Sequence, residues 1–372
     1  MVLNPPLLFV SGLFFLSLAS ALYVAAFLVA TAALRAGRGR LSHARAKQVL
    51  LASLLLPPLL AAVPTLSGAT LRHSHARPLL EHHSAACSRV FTGLFAAGDG
   101  GGGLIPRPAG HLANGLAWLL VALGLAYLVR LVAATLRLER GLTPYLSPPS
   151  PRLARAVAHV GRRSRVNAAL FFECPIPPSS SSVFGLRRTR CVLSQELVAS
   201  ASDAELNAIV AHEATHLHAR DVAATFLVSA LGCLFFYLRP VRLLARRWRE
   251  ETELACDAAA VEAGGDPLAM ASAILRVSGA PVGARLGGHG PLPPTALAFA
   301  DESACLTARR VEGLIARAQR SAPPPARGTR LRAAAGWLVT LALATVGVLL
   351  LLSPSAVCYA HCSLEAAAHL LP

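Results

Sequence analysis

The hydrophobic positions of this chain gather into long runs. Four of the runs, at residues 7–34, 49–71, 112–136 and 333–357, are long enough to cross a lipid bilayer, which takes about 20 apolar residues in a helix. A fifth run covers residues 222–238. The pattern predicts an integral membrane protein, mainly α-helical, with four transmembrane helices.

The basic residues between the runs predict how the helices are oriented. The stretch 35–47 contains no acidic residue and five basic ones: Arg35, Arg38, Arg40, Arg45 and Lys47. Positively charged loops are retained in the cytoplasm, so residues 1–136 are predicted to form three transmembrane helices, with a cytoplasmic loop at 35–47 and an outer loop at 72–110. A cytoplasmic domain at 137–332, the fourth helix at 333–357 and a short outer tail at 358–372 follow.

The fifth apolar run does not fit this count. If residues 222–238 crossed the bilayer, the polar segments before and after them would lie on opposite sides of it. We therefore predict a buried or membrane-dipping helix, which holds the domain 137–332 against the inner face of the membrane.

Composition agrees with a membrane protein and argues against other classes. Only 15% of the residues are charged, whereas soluble domains have about 25%. The net charge of +16 does not indicate a nucleic-acid partner, because the basic residues flank apolar runs and few aromatic residues lie among them to stack on bases. None of the eight cysteines forms a C-x-x-C pair, which argues against a four-thiolate zinc site.

Just before the fifth run, the sequence "AHEATHLHARD" contains H-E-x-x-H. A helix is predicted to begin at Ser202, where Glu205 completes a capping box. His212 and His216 are then one turn apart on one face and can share a zinc ion. Glu213 lies beside the water that a zinc ion would activate, and it is the natural general base. The alternative is two hydrogen-bonded histidines on a partly buried helix.

A catalytic zinc site needs a third protein ligand. The segment "REETELACDAAAVEAGG" (residues 249–265) predicts a second helix, on which Glu253 and Asp257 share a face. Glu253 is the candidate third ligand, and Asp257 is the candidate carboxylate that fixes a ligand imidazole. Spacing alone leaves Glu250 and Glu251 open as ligands, and a solvated acidic face as the alternative.

Three stretches, residues 181–221, 235–261 and 295–315, resemble membrane metallopeptidases of the BlaR/MecR type, the antirepressor peptidases of β-lactam sensing. They contain H-E-x-x-H and the E-x-A-C-D of "ETELACD". The resemblance implies a cytoplasmic α+β zincin-like (gluzincin) metalloprotease domain. It implies that Zn²⁺ is bound by His212, His216 and Glu253, with Glu213 as the base and Asp221 as a structural partner.

The implied activity is that of a zinc endopeptidase at the cytoplasmic membrane, acting on a protein such as a transcriptional regulator. The strand at 188–194 is predicted either to pair with an extended substrate or to be an ordinary core strand. The alternative functions are an HtpX/CAAX-type quality-control protease and an inactive membrane signal transducer.

The sequence departs from the β-lactam sensors after residue 357. Only 358–372 follow, so no penicillin-binding sensor domain is expected within this sequence. The predicted outer loop is rich in histidine, which indicates either solvated loop residues or a metal-binding site, and two of the three outer cysteines could form a disulfide. The residues concerned are His73, His75, His82, His83, Cys87, Cys358 and Cys362.

Overall fold

The computed structural model of the protein describes residues 5–37, 41–71, 107–164, 166–175, 181–279, 297–298 and 304–319. The chain divides into two compact units. The described residues of the first unit fall within Met1–Ala36 and Ala52–Gly124, and those of the second within Gly37–Leu51 and Leu125–Pro324.

Three long apolar helices account for the described part of the first unit, and two of them continue into the second. They are α1 (Pro5–Ala36), α2 (His43–Leu71) and α3 (Arg107–Leu142). Each contributes to a segment that is long and apolar enough to cross a membrane: Leu18–Ala36 in α1, His43–Ala62 in α2, and Trp118–Tyr145, which begins in α3 and ends three residues after it. Within the first unit, the buried Tyr23 hydroxyl donates a hydrogen bond to the Leu54 carbonyl at 2.9 Å.

The start of α2 differs from the prediction. The helix begins at His43, inside the segment 35–47 that was predicted as a loop. Ala44, Ala46, Lys47 and Gln48 are good helix formers, so the helix extends ahead of its apolar run. The fourth predicted transmembrane helix, the outer tail and nearly all of the predicted outer loop lie outside the described residues, as do His73, His75, His82, His83, Cys87, Cys358 and Cys362.

The second unit contains a four-stranded sheet. Its strands are β1 (Phe171–Cys174), β2 (Ser181–Phe184), β3 (Arg190–Ser194) and β4 (Leu297–Ala298), in the order β1-β3-β2-β4. β3 pairs with β1 in parallel and with β2 antiparallel, and β4 pairs with β2 antiparallel. β3 is therefore an interior strand with both edges occupied, so the idea that it pairs with substrate is wrong and the core-strand alternative is correct.

Seven further α-helices lie in the described part of the second unit. They are α4 (Pro151–Ser164), α5 (Gln195–Ser200), α6 (Asp203–Ala219), α7 (Asp221–Leu234), α8 (Arg239–Glu262), α9 (Pro267–Gly279) and α10 (Ala304–Ala318). α6 is central and packs on α4, α8 and α9. Its apolar side chains Leu206, Ile209 and Val210 are buried in the main core, which fixes the orientation of the helix that carries the two histidines.

The apolar run that was predicted to dip into the membrane forms α7. It ends at Leu234, four residues before the predicted end, and it is bent by 63° from α6. Together α6 and α7 pass the length and hydropathy test for a broken span or a re-entrant loop. The membrane-dipping role of α7, the predicted domain boundaries and the zincin-like class remain predictions.

Candidate metal centre

Local sequence sets both ends of α6. Ser202 Oγ accepts a hydrogen bond from the Glu205 backbone N–H, and the Glu205 carboxylate accepts one from the Ser202 N–H, so the predicted capping box is present. At the other end Arg220 adopts a left-handed conformation with φ 54°. This residue closes α6 and starts α7 at the sharp bend, which returns Asp221 toward His216.

The packing of α8 against α6 brings Glu253 to the two histidines. Nε2 of His212 lies 3.1 Å from Nε2 of His216. Glu253 Oε2 lies 3.4 Å from His212 Nε2, and Oε1 lies 3.6 Å from His216 Nε2. His212 and His216 are buried, and Glu253 is 8% exposed. These three side chains therefore converge on one point inside the protein.

The three distances fit a tetrahedral zinc site. Ligand atoms about 2.0–2.1 Å from zinc, at tetrahedral angles, lie about 3.3–3.4 Å from one another. The observed separations are 3.1, 3.4 and 3.6 Å. Glu253 Oε2 is buried and accepts no well-oriented hydrogen bond from the described residues, although Arg310 Nη1 lies 3.3 Å away. The donor set is thus one that a metal ion would complete.

The charges around this point also favour a divalent cation. Three carboxylates with little solvent exposure, those of Asp221, Glu253 and Asp257, contact the two histidines and two cations, Lys47 and Arg310, and a fourth, that of Glu213, is buried on the residue after His212. With neutral histidines, two negative charges are left over. Buried charges are very unfavourable unless they are compensated, and one divalent ion would balance this cluster.

Asp257 contacts the far side of the His212 ring. Its Oδ1 lies 2.9 Å from His212 Nδ1. Arg310, which is 1% exposed, donates two hydrogen bonds of 2.7 Å to the same carboxylate. Burial would raise the pKa of Asp257, but the Arg310 charge and the hydrogen bonds from His212 and Arg310 lower it to about 2. Asp257 is thus ionised and able to fix the His212 ring.

Asp221 contacts the far side of the His216 ring in the same way. Its Oδ2 lies 3.0 Å from His216 Nδ1, and its Oδ1 lies 2.5 Å from Lys47 Nζ. Each imidazole therefore directs one nitrogen toward a carboxylate and the other toward the shared point. A carboxylate behind each histidine is the arrangement that orients imidazole ligands in metal sites.

A second group of side chains also has the spacing of metal ligands. It consists of His216, Asp221 and Cys256, with Cys256 Sγ 3.4 Å from His216 Nδ1 and 3.5 Å from Asp221 Oδ2. A metal there would compete with the contact between His216 and Asp221 and would face the Lys47 ammonium group. The set of His212, His216 and Glu253 is therefore the better candidate.

Glu213 is buried next to β2. Its Oε1 accepts a 2.6 Å hydrogen bond from the Ser181 hydroxyl. Ser181 is the first residue of β2 and is buried. The strand thus holds one oxygen of the carboxylate that was predicted to act as the base.

Two other glutamates of α8 point away from the centre. Glu250 contacts Arg246 and Arg309, and Glu251 contacts His43 and Arg309. Of the three glutamates that spacing had left open, Glu253 is the one that the fold brings to both histidines. His218, also in the quoted motif, is exposed.

Four residues at this centre had no assigned role from the sequence: Lys47, Ser181, Cys256 and Arg310. Cys256 was visible next to Asp257 in "ETELACD", and Arg310 lies in the resembling segment 295–315. Lys47 had been grouped with the other basic residues of 35–47. The cysteines at positions 174, 191, 233, 256 and 305, which are those within the described ranges, are all free.

Comparison with known proteins gives a family. No curated protein matches the sequence significantly. The family model described as BlaR1 peptidase M56 matches residues 19–281, which include the H-E-x-x-H segment, Glu253 and Asp257. A match over this much of the chain, together with the helices that can cross a membrane, identifies a membrane-associated peptidase: the chain belongs to the BlaR1 peptidase M56 family.

Proposed function

We propose that this protein is a zinc-dependent endopeptidase that hydrolyses peptide bonds of protein substrates at the cytoplasmic face of the membrane, in regulated proteolysis. The observation that carries the proposal is the convergence of His212, His216 and Glu253 at distances of 3.1–3.6 Å, with Glu213 next to His212 in the sequence. Membership in a peptidase family supports the hydrolytic reaction.

The chain supplies the ligands and the proton acceptor. His212, His216 and Glu253 would hold the ion, and Asp257 and Asp221 would keep the imidazole rings in place. A zinc ion, when bound, polarises the scissile carbonyl and makes a water more acidic. Glu213 would accept the proton of the attacking water at Oε2, because the Ser181 hydroxyl already binds Oε1, and would pass it to the leaving amine.

The basic segment 35–47 supports a cytoplasmic site. Lys47 belongs to this segment, and its ammonium group contacts Asp221 in the metal centre. This contact supports a centre on the same side of the membrane as the positively charged segment. Since positively charged segments are retained in the cytoplasm, this is the expected side of substrate cleavage.

The test compares Glu213→Gln with Glu262→Gln, an exposed glutamate at the end of α8. Full-length protein is purified in detergent, its zinc content is measured, and cleavage of fluorescently labelled casein is followed. We expect all three proteins to bind one zinc ion, and only Glu213→Gln to lose cleavage, by a factor of 100 or more, as is typical when general base catalysis is removed. Unchanged cleavage by Glu213→Gln would refute the catalytic role.

Comparing the proteomes of cells that contain the wild type or Glu213→Gln distinguishes regulated proteolysis from protein quality control. Stabilisation of one cytoplasmic regulator in the mutant supports regulated proteolysis. Stabilisation of many membrane proteins supports a quality-control protease instead. Purified protein without bound zinc supports an inactive membrane signal transducer.

A further inference from the structure

Lys47 connects α2 to the metal centre. Its Nζ atom lies 2.5 Å from Asp221 Oδ1, and the other oxygen of that carboxylate lies 3.0 Å from His216 Nδ1. The Asp221 side chain is 1% exposed and that of Lys47 is 15% exposed. A continuous path of polar contacts therefore leads from Lys47 to the histidine whose Nε2 faces Glu253.

The first turns of α2 are held against α8 by further contacts. His43, one turn before Lys47, lies with Nδ1 2.7 Å from Glu251 Oε2. Lys47 Nζ also lies 5.9 Å from the ring centroid of the fully buried Trp248, within the range of a cation–π interaction. Lys47 is thus fixed in position, in contrast to Arg35, an exposed residue near the end of α1.

The position of Lys47 has an electrostatic consequence for Asp221. Within the described part of the chain, Lys47 is the amine or guanidinium cation that pairs with Asp221, whose further contacts are with His216 and Cys256. A buried carboxylate that loses its cation is strongly unfavourable, so it would turn toward water or rearrange. Because Asp221 directs the His216 ring, such a change would displace a proposed metal ligand.

We propose that Lys47 is a positioning residue of the metal centre: acting through Asp221, it orients the His216 imidazole so that Nε2 faces the metal. This inference rests on the proposed zinc peptidase function and adds to it a residue from a helix that can cross the membrane. Lys47 thus has a role beyond its positive charge, which it shares with the other basic residues of 35–47.

The first experiment measures zinc affinity by competition with a chelator, using full-length protein in detergent. Lys47→Met keeps most of the side-chain length but removes the charge, and Arg35→Met removes one charge from the same basic segment. We expect Lys47→Met to bind zinc about ten-fold more weakly or worse, the range for losing an outer partner of a metal ligand. Arg35→Met should bind as the wild type does, and Lys47→Arg should recover most of the affinity.

Equal affinity of Lys47→Met and wild type would overturn the inference. So would equal weakening by Lys47→Met and Arg35→Met, because the effect would then depend on charge in the segment and not on contact with Asp221.

The second experiment tests whether Lys47 acts through Asp221. In an Asp221→Asn background, Lys47→Met should weaken zinc binding no further, since the two residues form one unit. The double variant has no uncompensated charge, so the comparison remains possible if Lys47→Met alone fails to fold. An equal loss of affinity from Lys47→Met in both backgrounds would contradict action through Asp221.

The wild type distinguishes failure of this inference from failure of the proposed function. If the wild type binds no zinc, both are refuted. If the wild type binds zinc and Glu213→Gln abolishes cleavage while Lys47→Met keeps full zinc affinity, only the role of Lys47 is refuted.

Discussion

Replacing Arg310 by methionine removes a buried cation from between two carboxylates. Arg310 donates two hydrogen bonds of 2.7 Å to Asp257, and its Nη1 lies 3.3 Å from Glu253 Oε2. Methionine is apolar and unbranched, so the variant keeps much of the packing of α10 on α8 but loses the positive charge and the N–H groups that bind Asp257. Both carboxylates stay buried with one cation fewer.

The expected loss of stability is large, because breaking a buried ion pair from one side costs about 3–5 kcal/mol. In a unit of this size 1 kcal/mol lowers Tm by about 2–4 °C, so Arg310→Met should lower Tm by about 6–20 °C. Arg309→Met, at the preceding residue, is the matched control. The Arg309 side chain is 43% exposed and contacts Glu250 and Glu251 at 3.4–3.6 Å. Exposed pairs contribute about 0–1 kcal/mol.

The assay is thermal unfolding of metal-free full-length protein in detergent, followed by tryptophan fluorescence. Arg310→Met should unfold at a far lower temperature than Arg309→Met, and Asp257→Asn should recover part of the loss in the Arg310→Met background, because it removes the uncompensated charge. Equal shifts for the two arginine variants would refute the reasoning. Additive effects of Arg310→Met and Asp257→Asn would also refute it.

Three further predictions concern α6 and the metal. Hydrogen bonds from Ser272, Ser202 and Arg276 outweigh burial and lower the pKa of Glu205 from 4.5 to about 2, so Glu205→Gln should cost about 1–2 kcal/mol at pH 7. That difference should shrink as the pH falls below 4.5 and vanish near 2 in denaturant titrations; a constant difference would contradict it. Arg220 has a φ of 54°, a left-handed conformation that costs glycine about 1 kcal/mol less than other residues. Arg220→Gly should therefore keep or raise Tm, and Arg220→Val should lower it; a higher Tm for the valine variant than for the glycine variant would contradict this. Zinc at 100 times its Kd should stabilise the protein by about 2.7 kcal/mol, so a chelator should lower the Tm of the wild type and leave that of Glu253→Ala unchanged; equal shifts in both proteins would argue against Glu253 as a ligand.

Local patterns in the sequence predicted much of the centre. A capping box was predicted at Ser202 and is present. The i, i+4 spacing put His212 and His216 on one helix face, and the same spacing joined Glu253 to Asp257. In the structure each of these pairs shares a helix and faces the other pair. Helical periodicity is enough for such pairs because it depends only on neighbouring positions.

Contacts between residues far apart in the chain could not be predicted from helical periodicity. Lys47 and Asp221 are 174 residues apart in the chain, and Arg310 and Asp257 are 53 apart. No periodicity links such positions. The positive charge of Lys47 was already explained by the orientation of the helices in the membrane, so nothing in the sequence pointed to a second role. Ser181 and Glu213 likewise lie 32 residues apart in the chain, and the Ser181 hydroxyl in β2 donates a buried hydrogen bond to the Glu213 carboxylate.

Strand order was also not accessible from the sequence. The segment 188–194 has a strand pattern, but its neighbours depend on where 171–174 and 297–298 pair. The sheet places β3 between β1 and β2, which leaves it no free edge for a substrate.

The central claim is that His212, His216 and Glu253 hold one zinc ion, and X-ray absorption at the zinc edge of the purified full-length protein tests it most directly. We predict nitrogen and oxygen neighbours at about 2.0–2.1 Å, the outer-shell signature of two imidazoles, and no sulfur. A sulfur neighbour at about 2.3 Å would assign the metal to the group that contains Cys256, and protein that binds no zinc would contradict the account altogether.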